Sequence, residues 1–106
     1  MRLTPSQRLA LAAAVRRRFG AGARLWVFGS RVDEAARGGD FDILVRSDES
    51  DAQALYDAKL ATLADLHATA EFEGERIDLV LFSPRLDPEP RPVQRAAMEQ
   101  GVELAL

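Results

Sequence analysis

The stretch Leu25 to Val45, LWVFGSRVDEAARGGDFDILV, constrains this chain more than any other. Four apolar residues, Leu25–Phe28, break at Gly29-Ser30. A small, polar segment follows, and Asp40-Phe41-Asp42 then leads into a second apolar run, Ile43–Val45. Short β-prone runs bounded by glycine read as buried strands. Successive side chains of a strand point to opposite faces, so Asp40 and Asp42 share one face while Phe41 and Ile43 share the other. Two like charges one strand repeat apart, beside a core, are costly unless a cation binds them. The pair therefore reads as a divalent-metal site.

The rest of the composition limits what such a site serves. With 106 residues there is room for one domain, residues 1–106, around one core. Apolar residues make up 47% and charged residues 29%, a balance that argues against wholesale disorder. The formal net charge of -3 supplies no overall positive field, so high-affinity binding of nucleic acid by phosphate contacts is not expected. No cysteine is present, which removes disulfides and thiolate metal sites. With no N-terminal targeting pattern, this suits the cytoplasm. The apolar runs are too short to span a bilayer.

In chain order, Thr4-Pro5-Ser6-Gln7 has capping-box spacing, and Leu11, Val15 and Phe19 make an apolar stripe on the helix it opens. Arg16-Arg17-Arg18 falls in the last turn, where it complements the helix dipole, with Gly20 as the stop. Arg24–Phe28 is the first strand, with Trp26 as a core residue. Gly29-Ser30 turns it into a short helix over 31–36, and Arg37-Gly38-Gly39 leads back to the second strand, Phe41–Arg46. A glycine turn at a helix N-terminus lets backbone amides approach an anion, so Gly29 and Ser30 are candidates for holding a triphosphate.

Ser50-Asp51-Ala52-Gln53 is a second capping box, opening a helix to about residue 69 with Tyr56, Leu60, Leu63 and His67 at helical spacing. The single histidine, His67, reads as a packed or rim residue rather than a ligand. A turn at Glu73-Gly74-Glu75 precedes the third strand, Ile77–Phe82, whose only charged residue is Asp78. Pro84, Pro88, Pro90 and Pro92 forbid regular helix until the last of them, so a short helix is expected over 93–100, stopped by Gly101 and followed by a short apolar end.

The carboxylates constrain topology. If Gly29-Ser30 and Asp40 serve one site, the first two strands are antiparallel. For Asp78 to join Asp40 and Asp42, the third strand must run parallel to the second, through a right-handed helical crossover. The expected fold is α/β (α+β): a small mixed sheet covered by helices, in the order α-β-α-β-α-β-α.

This ordered set, GSR, nine residues between its serine and Asp40, DFDILV, then a third aspartate in RIDLVLF, resembles the nucleotidyltransferase domain of the DNA polymerase β superfamily. Within it, the size and the GSR…RGGDFD wording resemble the minimal nucleotidyltransferases (MNT) that pair with HEPN-domain proteins in toxin–antitoxin systems. The resemblance runs from about Leu25 to Phe82.

It implies a nucleotidyltransferase fold in which Asp40, Asp42 and Asp78 ligate two Mg²⁺ ions, with ATP as substrate. Asp78 would also help deprotonate the acceptor hydroxyl. Gly29, Ser30 and Arg31 would bind the nucleotide, with Arg37 a further candidate for phosphate contact. The acceptor it implies is a tyrosine of a HEPN-type partner, an antitoxin role. Many members carry a serine directly before the first aspartate, where this chain has Gly39. Larger members add helical domains that grip the acceptor; here a partner or self-association must complete that site. The alternatives are a non-catalytic module that masks its partner and, less favoured, transfer onto a small molecule such as an antibiotic.

Overall fold

The computed structural model describes residues 3–29 and 40–106. The short helix expected over 31–36, with Ser30, Arg31, Arg37 and Gly39, lies outside the described residues.

The first helix, α1 (Pro5–Phe19), starts as its sequence demands. The Thr4 hydroxyl accepts from the Gln7 amide at 3.0 Å, and the Gln7 side chain accepts from the Thr4 amide at 3.0 Å. That reciprocal pair satisfies two of the amides a helix start leaves unbonded. Leu11 and Val15 are fully buried, Phe19 partly so, and Gly20 ends the helix with φ +93°.

Strands β1 (Arg24–Phe28) and β2 (Phe41–Arg46) pair antiparallel, with Phe28 opposite Asp42. Helix α2 (Ala52–His67) carries the chain over the sheet to β3 (Ile77–Phe82), parallel to β2. A 3₁₀ turn, Ala70–Phe72, lies between them. Helix α3 (Pro92–Gln100) begins at the last proline, and β4 (Val102–Leu104) then pairs antiparallel with β1. The sheet order is β3-β2-β1-β4. The expected mixed α+β sheet and both strand directions are as read from the carboxylates. The fourth strand is an addition: the apolar end after Gly101 fills the edge of β1 that a three-stranded sheet would leave open.

Two details of α2 correct the sequence reading. Its N-cap is Asp51, whose carboxylate accepts from the Gln53 amide at 3.0 Å, rather than Ser50. Gln53 turns forward to Asp57 instead of closing a box (2.9 Å), and the Glu49 carboxylate takes the Ser50 and Asp51 amides. The buried stripe of α2 is Leu55, Thr62 and Leu66, whereas Tyr56 and Leu60 stand 51% and 46% exposed. The helix is thus rotated from its simplest apolar spacing, because it must pack against α1 as well as the sheet. The Thr62 hydroxyl, fully buried, has no hydrogen-bond partner among the described residues.

Strand alternation sorts the apolar residues into two layers. Leu25 and Val27, Phe41, Ile43 and Val45, and Leu79 join α1 and α2 in the larger core, where Phe41 meets Phe72 edge-on at 5.0 Å. Trp26, Leu44 and Phe82 face the other side, where Ala97 of α3 covers them. Arg17 and Arg18, read as complementing the helix dipole, also bridge the two helices through Asp65 at 3.0 and 2.8 Å. His67 is exposed at the rim. Among the described residues no helix is long and apolar enough to cross a membrane.

Candidate active site

The site is assembled by register. β1 ends at Phe28, beside the point where β2 begins, and parallel pairing puts Asp42 directly beside Asp78, with Phe41 beside Ile77. Neighbouring strands lie about 4.8 Å apart, so Asp42 and Asp78 are immediate neighbours on one face of the sheet. Asp40, two residues before Asp42, projects to that face just beyond the strand end. It is the same face that α3 covers further along, through Leu44 and Phe82. Three carboxylates thus gather at one end of the sheet, where the smaller core layer gives way to solvent.

Their electrostatics record the crowding. Burial holds the Asp42 carboxyl above the ordinary carboxylate range, and the negative charges of Asp78 and then Asp40 push it the same way. Asp42 is half-buried between neighbours that are more open: Asp40 has 43% of its side chain exposed, and Asp78 is exposed.

Arg76, which the sequence reading did not single out, stands beside the cluster. Its guanidinium lies 3.8 Å from Asp40, and the parallel register that pairs Phe41 with Ile77 puts Arg76 opposite Asp40. At 85% exposure the arginine is a loose partner. The only sequence signal for it was its place one residue before the third strand, which has no meaning until the register is known.

Gly29 supplies the other feature. Its φ of +72° is a left-handed conformation, and a Cβ built there would collide with Asp42 Oδ2. The turn after β1 therefore lies directly against the central carboxylate, an approach only glycine permits. Of the expected nucleotide-binding set, Gly29 is brought to the carboxylates; Ser30 and Arg31 are outside the described residues.

The donor set suits a hard divalent cation, since carboxylate oxygens are the ligands Mg²⁺ takes. Among the described residues, however, no three acidic or histidine side chains stand close enough to form a ready-made cage. An ion would have to draw the three carboxylates together.

Comparison with known proteins bears on the same segment. No curated protein matches the chain. A family model described as a nucleotidyltransferase domain matches residues 10–104, a span that takes in β1, the glycine turn and all three aspartates. With the match covering most of the chain and the aspartates gathered at one sheet end beside a glycine turn, this chain belongs to the nucleotidyltransferase-domain family.

Proposed function

We propose that this nucleotidyltransferase works with Mg²⁺ and transfers AMP from ATP to a hydroxyl on a partner protein, by resemblance a tyrosine of a HEPN-type toxin. The observation that carries the reading is the in-register pair Asp42 and Asp78, with Gly29 packed against Asp42.

Asp40, Asp42 and Asp78 are assigned as ligands of the metal. When bound, Mg²⁺ would neutralise triphosphate charge and favour the attacking alkoxide or phenoxide. The glycine turn at Gly29, with Ser30 and Arg31, is assigned to the phosphates. The Asp78 carboxylate accepts the proton of the acceptor hydroxyl. The hydroxyl oxygen then bonds to the α-phosphorus, and the bond from that phosphorus to the bridging oxygen breaks, releasing pyrophosphate. Arg76, freed from Asp40 once a stronger cation is present, is available to the triphosphate.

The reading takes residues 1–106 as one nucleotidyltransferase domain, active in the cytoplasm, as the cysteine-free sequence suits. The test is the intact mass of the HEPN-type partner after incubation with catalytic amounts of this protein, ATP and Mg²⁺. Substoichiometric gain of one AMP, abolished by Asp78→Ala without loss of partner binding, is the expected result. Neutralisation that needs equal amounts, proceeds without ATP and survives Asp78→Ala with no mass change would make the chain a masking partner instead.

A further inference from the structure

We infer that the acceptor is presented by an extended, acidic segment of a protein that pairs with the free edge of β3, between Lys59 and Arg91; this rests on the nucleotidyl-transfer reading above. Sheet order is the first support. In β3-β2-β1-β4 the phosphate-side turn at Gly29 and the carboxylate of Asp78 flank Asp42 from opposite sides. A nucleotide held from the Gly29 side leaves the Asp78 side for the acceptor, and among the described residues the sheet edge lies beyond Asp78.

That edge is open where it matters. The Arg76 and Phe82 carbonyls point inward to β2, accepting from the Phe41 and Ser47 amides at 2.9 Å each. Alternation then turns the amides and carbonyls of Ile77, Leu79 and Leu81 outward. The buried Gln94 closes the far position, donating from Nε2 to the Leu81 carbonyl at 2.8 Å while its Oε1 accepts from the Arg91 amide at 2.6 Å. Among the described residues nothing pairs with the outward groups of Ile77 and Leu79, the two positions flanking Asp78. Unpaired edge groups of this kind are templates for an added strand.

A groove of about 340 Å³ runs along this edge, lined by Lys59, Asp78, Leu79, Leu81, Arg91 and Val93. The exposed Tyr56 of α2 stands one helical turn before Lys59, and Val93 is half-exposed on the other wall. Lys59 stands on one wall and Arg91, held at 3.5 Å by Asp87, on the other, and these two cations favour an acidic segment. A residue of the added strand paired with Asp78 would project its side chain to the carboxylate face. There its hydroxyl reaches the proton acceptor and the α-phosphorus together, so the transfer chemistry stated above is unchanged.

The experiment uses the full chain and synthetic nine-residue peptides. Each has alternating β-prone residues and a central tyrosine, flanked either by glutamates or by lysines. Without nucleotide, the glutamate peptide at millimolar concentration is expected to slow hydrogen exchange of the Ile77 and Leu79 amides by at least about tenfold. The lysine peptide and a glutamate peptide N-methylated at alternate amides should not. In the double variant Lys59→Glu, Arg91→Glu the preference should reverse to the lysine peptide. Absence of protection from either peptide, or a preference unmoved by the double variant, overturns the docking. With ATP and Mg²⁺ added, protection without a gain of AMP on the peptide supports the docking and counts against the transfer reading. A gain of AMP without protection does the opposite.

Discussion

Replacing Gly29 with alanine separates what the site needs from what the fold needs. The substitution imposes two burdens. A left-handed φ of +72° costs an L-residue about 1–2 kcal/mol. The new Cβ also collides with Asp42 Oδ2, with Asp42 Cγ and Cβ next at 3.2 and 3.4 Å. Because the colliding atom is the free end of a carboxylate, it can swing aside, so the collision costs little stability and instead moves a proposed metal ligand. Gly74 provides the matched control: its φ is +74°, and a Cβ there meets nothing within 4 Å. Gly29→Ala and Gly74→Ala should therefore lose similar stability, within about 0.5 kcal/mol of each other. At roughly 4–8 °C per kcal/mol, each should lower Tm by several degrees. Only Gly29→Ala should weaken Mg²⁺-dependent ATP binding and transfer, the latter by about 10²-fold, as expected for an ångström-scale displacement at a reacting centre. Thermal melts, calorimetry with Mg²⁺-ATP and the transfer assay give the three readouts. If Gly29→Ala keeps full transfer, or if Gly74→Ala loses as much transfer as Gly29→Ala, the close approach to Asp42 has no role in function.

Three further outcomes follow from other residues. Asp42→Asn should match or exceed the parent protein's Tm at neutral pH while losing transfer; a folded-state carboxyl held above its ordinary value of 3.8 contributes stability at acid pH that is lost as pH rises through the folded value, so the variant's relative gain should vanish in acid, and a large loss of Tm at pH 7 would refute it. Asp65 is lowered from 3.8 to about 2, first by its hydrogen bond from Arg18, so its contribution is present above 3.8 and lost as pH falls from there towards 2; Asp65→Asn should flatten the acid limb of a pH–Tm curve in that window and nowhere else. Thr62→Val removes a buried hydroxyl without a partner and should raise stability by about 1 kcal/mol, seen as a higher denaturant midpoint at unchanged m-value.

Much of this site was legible because its parts are local. Thr4 to Gln7 closes its box within one turn, and the two apolar runs around Gly29-Ser30 and Asp40 are strands by pattern. Alternation alone placed Asp40 and Asp42 on one face. The requirement that Asp78 join them dictated an antiparallel pair followed by a parallel one, and those are the pairings observed. Where the local signal was ambiguous the reading slipped: Ser50 and Asp51 both offer an oxygen for capping, and the carboxylate of Asp51 took the amide.

Other properties belong to residues far apart in the chain and existed only once it folded. Tyr56 and Leu60 have helical spacing, but α2 must satisfy α1 and the sheet together, and that rotation left them outside. Val102–Leu104 is too short to declare itself a strand; the open edge of β1 made it one. Arg76 became the neighbour of Asp40 through the β2–β3 register, and Gln94 became the stop on the β3 edge by reaching the Leu81 carbonyl across 13 residues. The sequence by itself determined which residues carry charge, which face each strand presents and where the chain must turn, since those depend on residue type and a two- or four-residue period. Tertiary structure alone decided which edge stays open and which cation stands beside the carboxylates, because both depend on register between segments whose spacing along the chain says nothing of their distance in space.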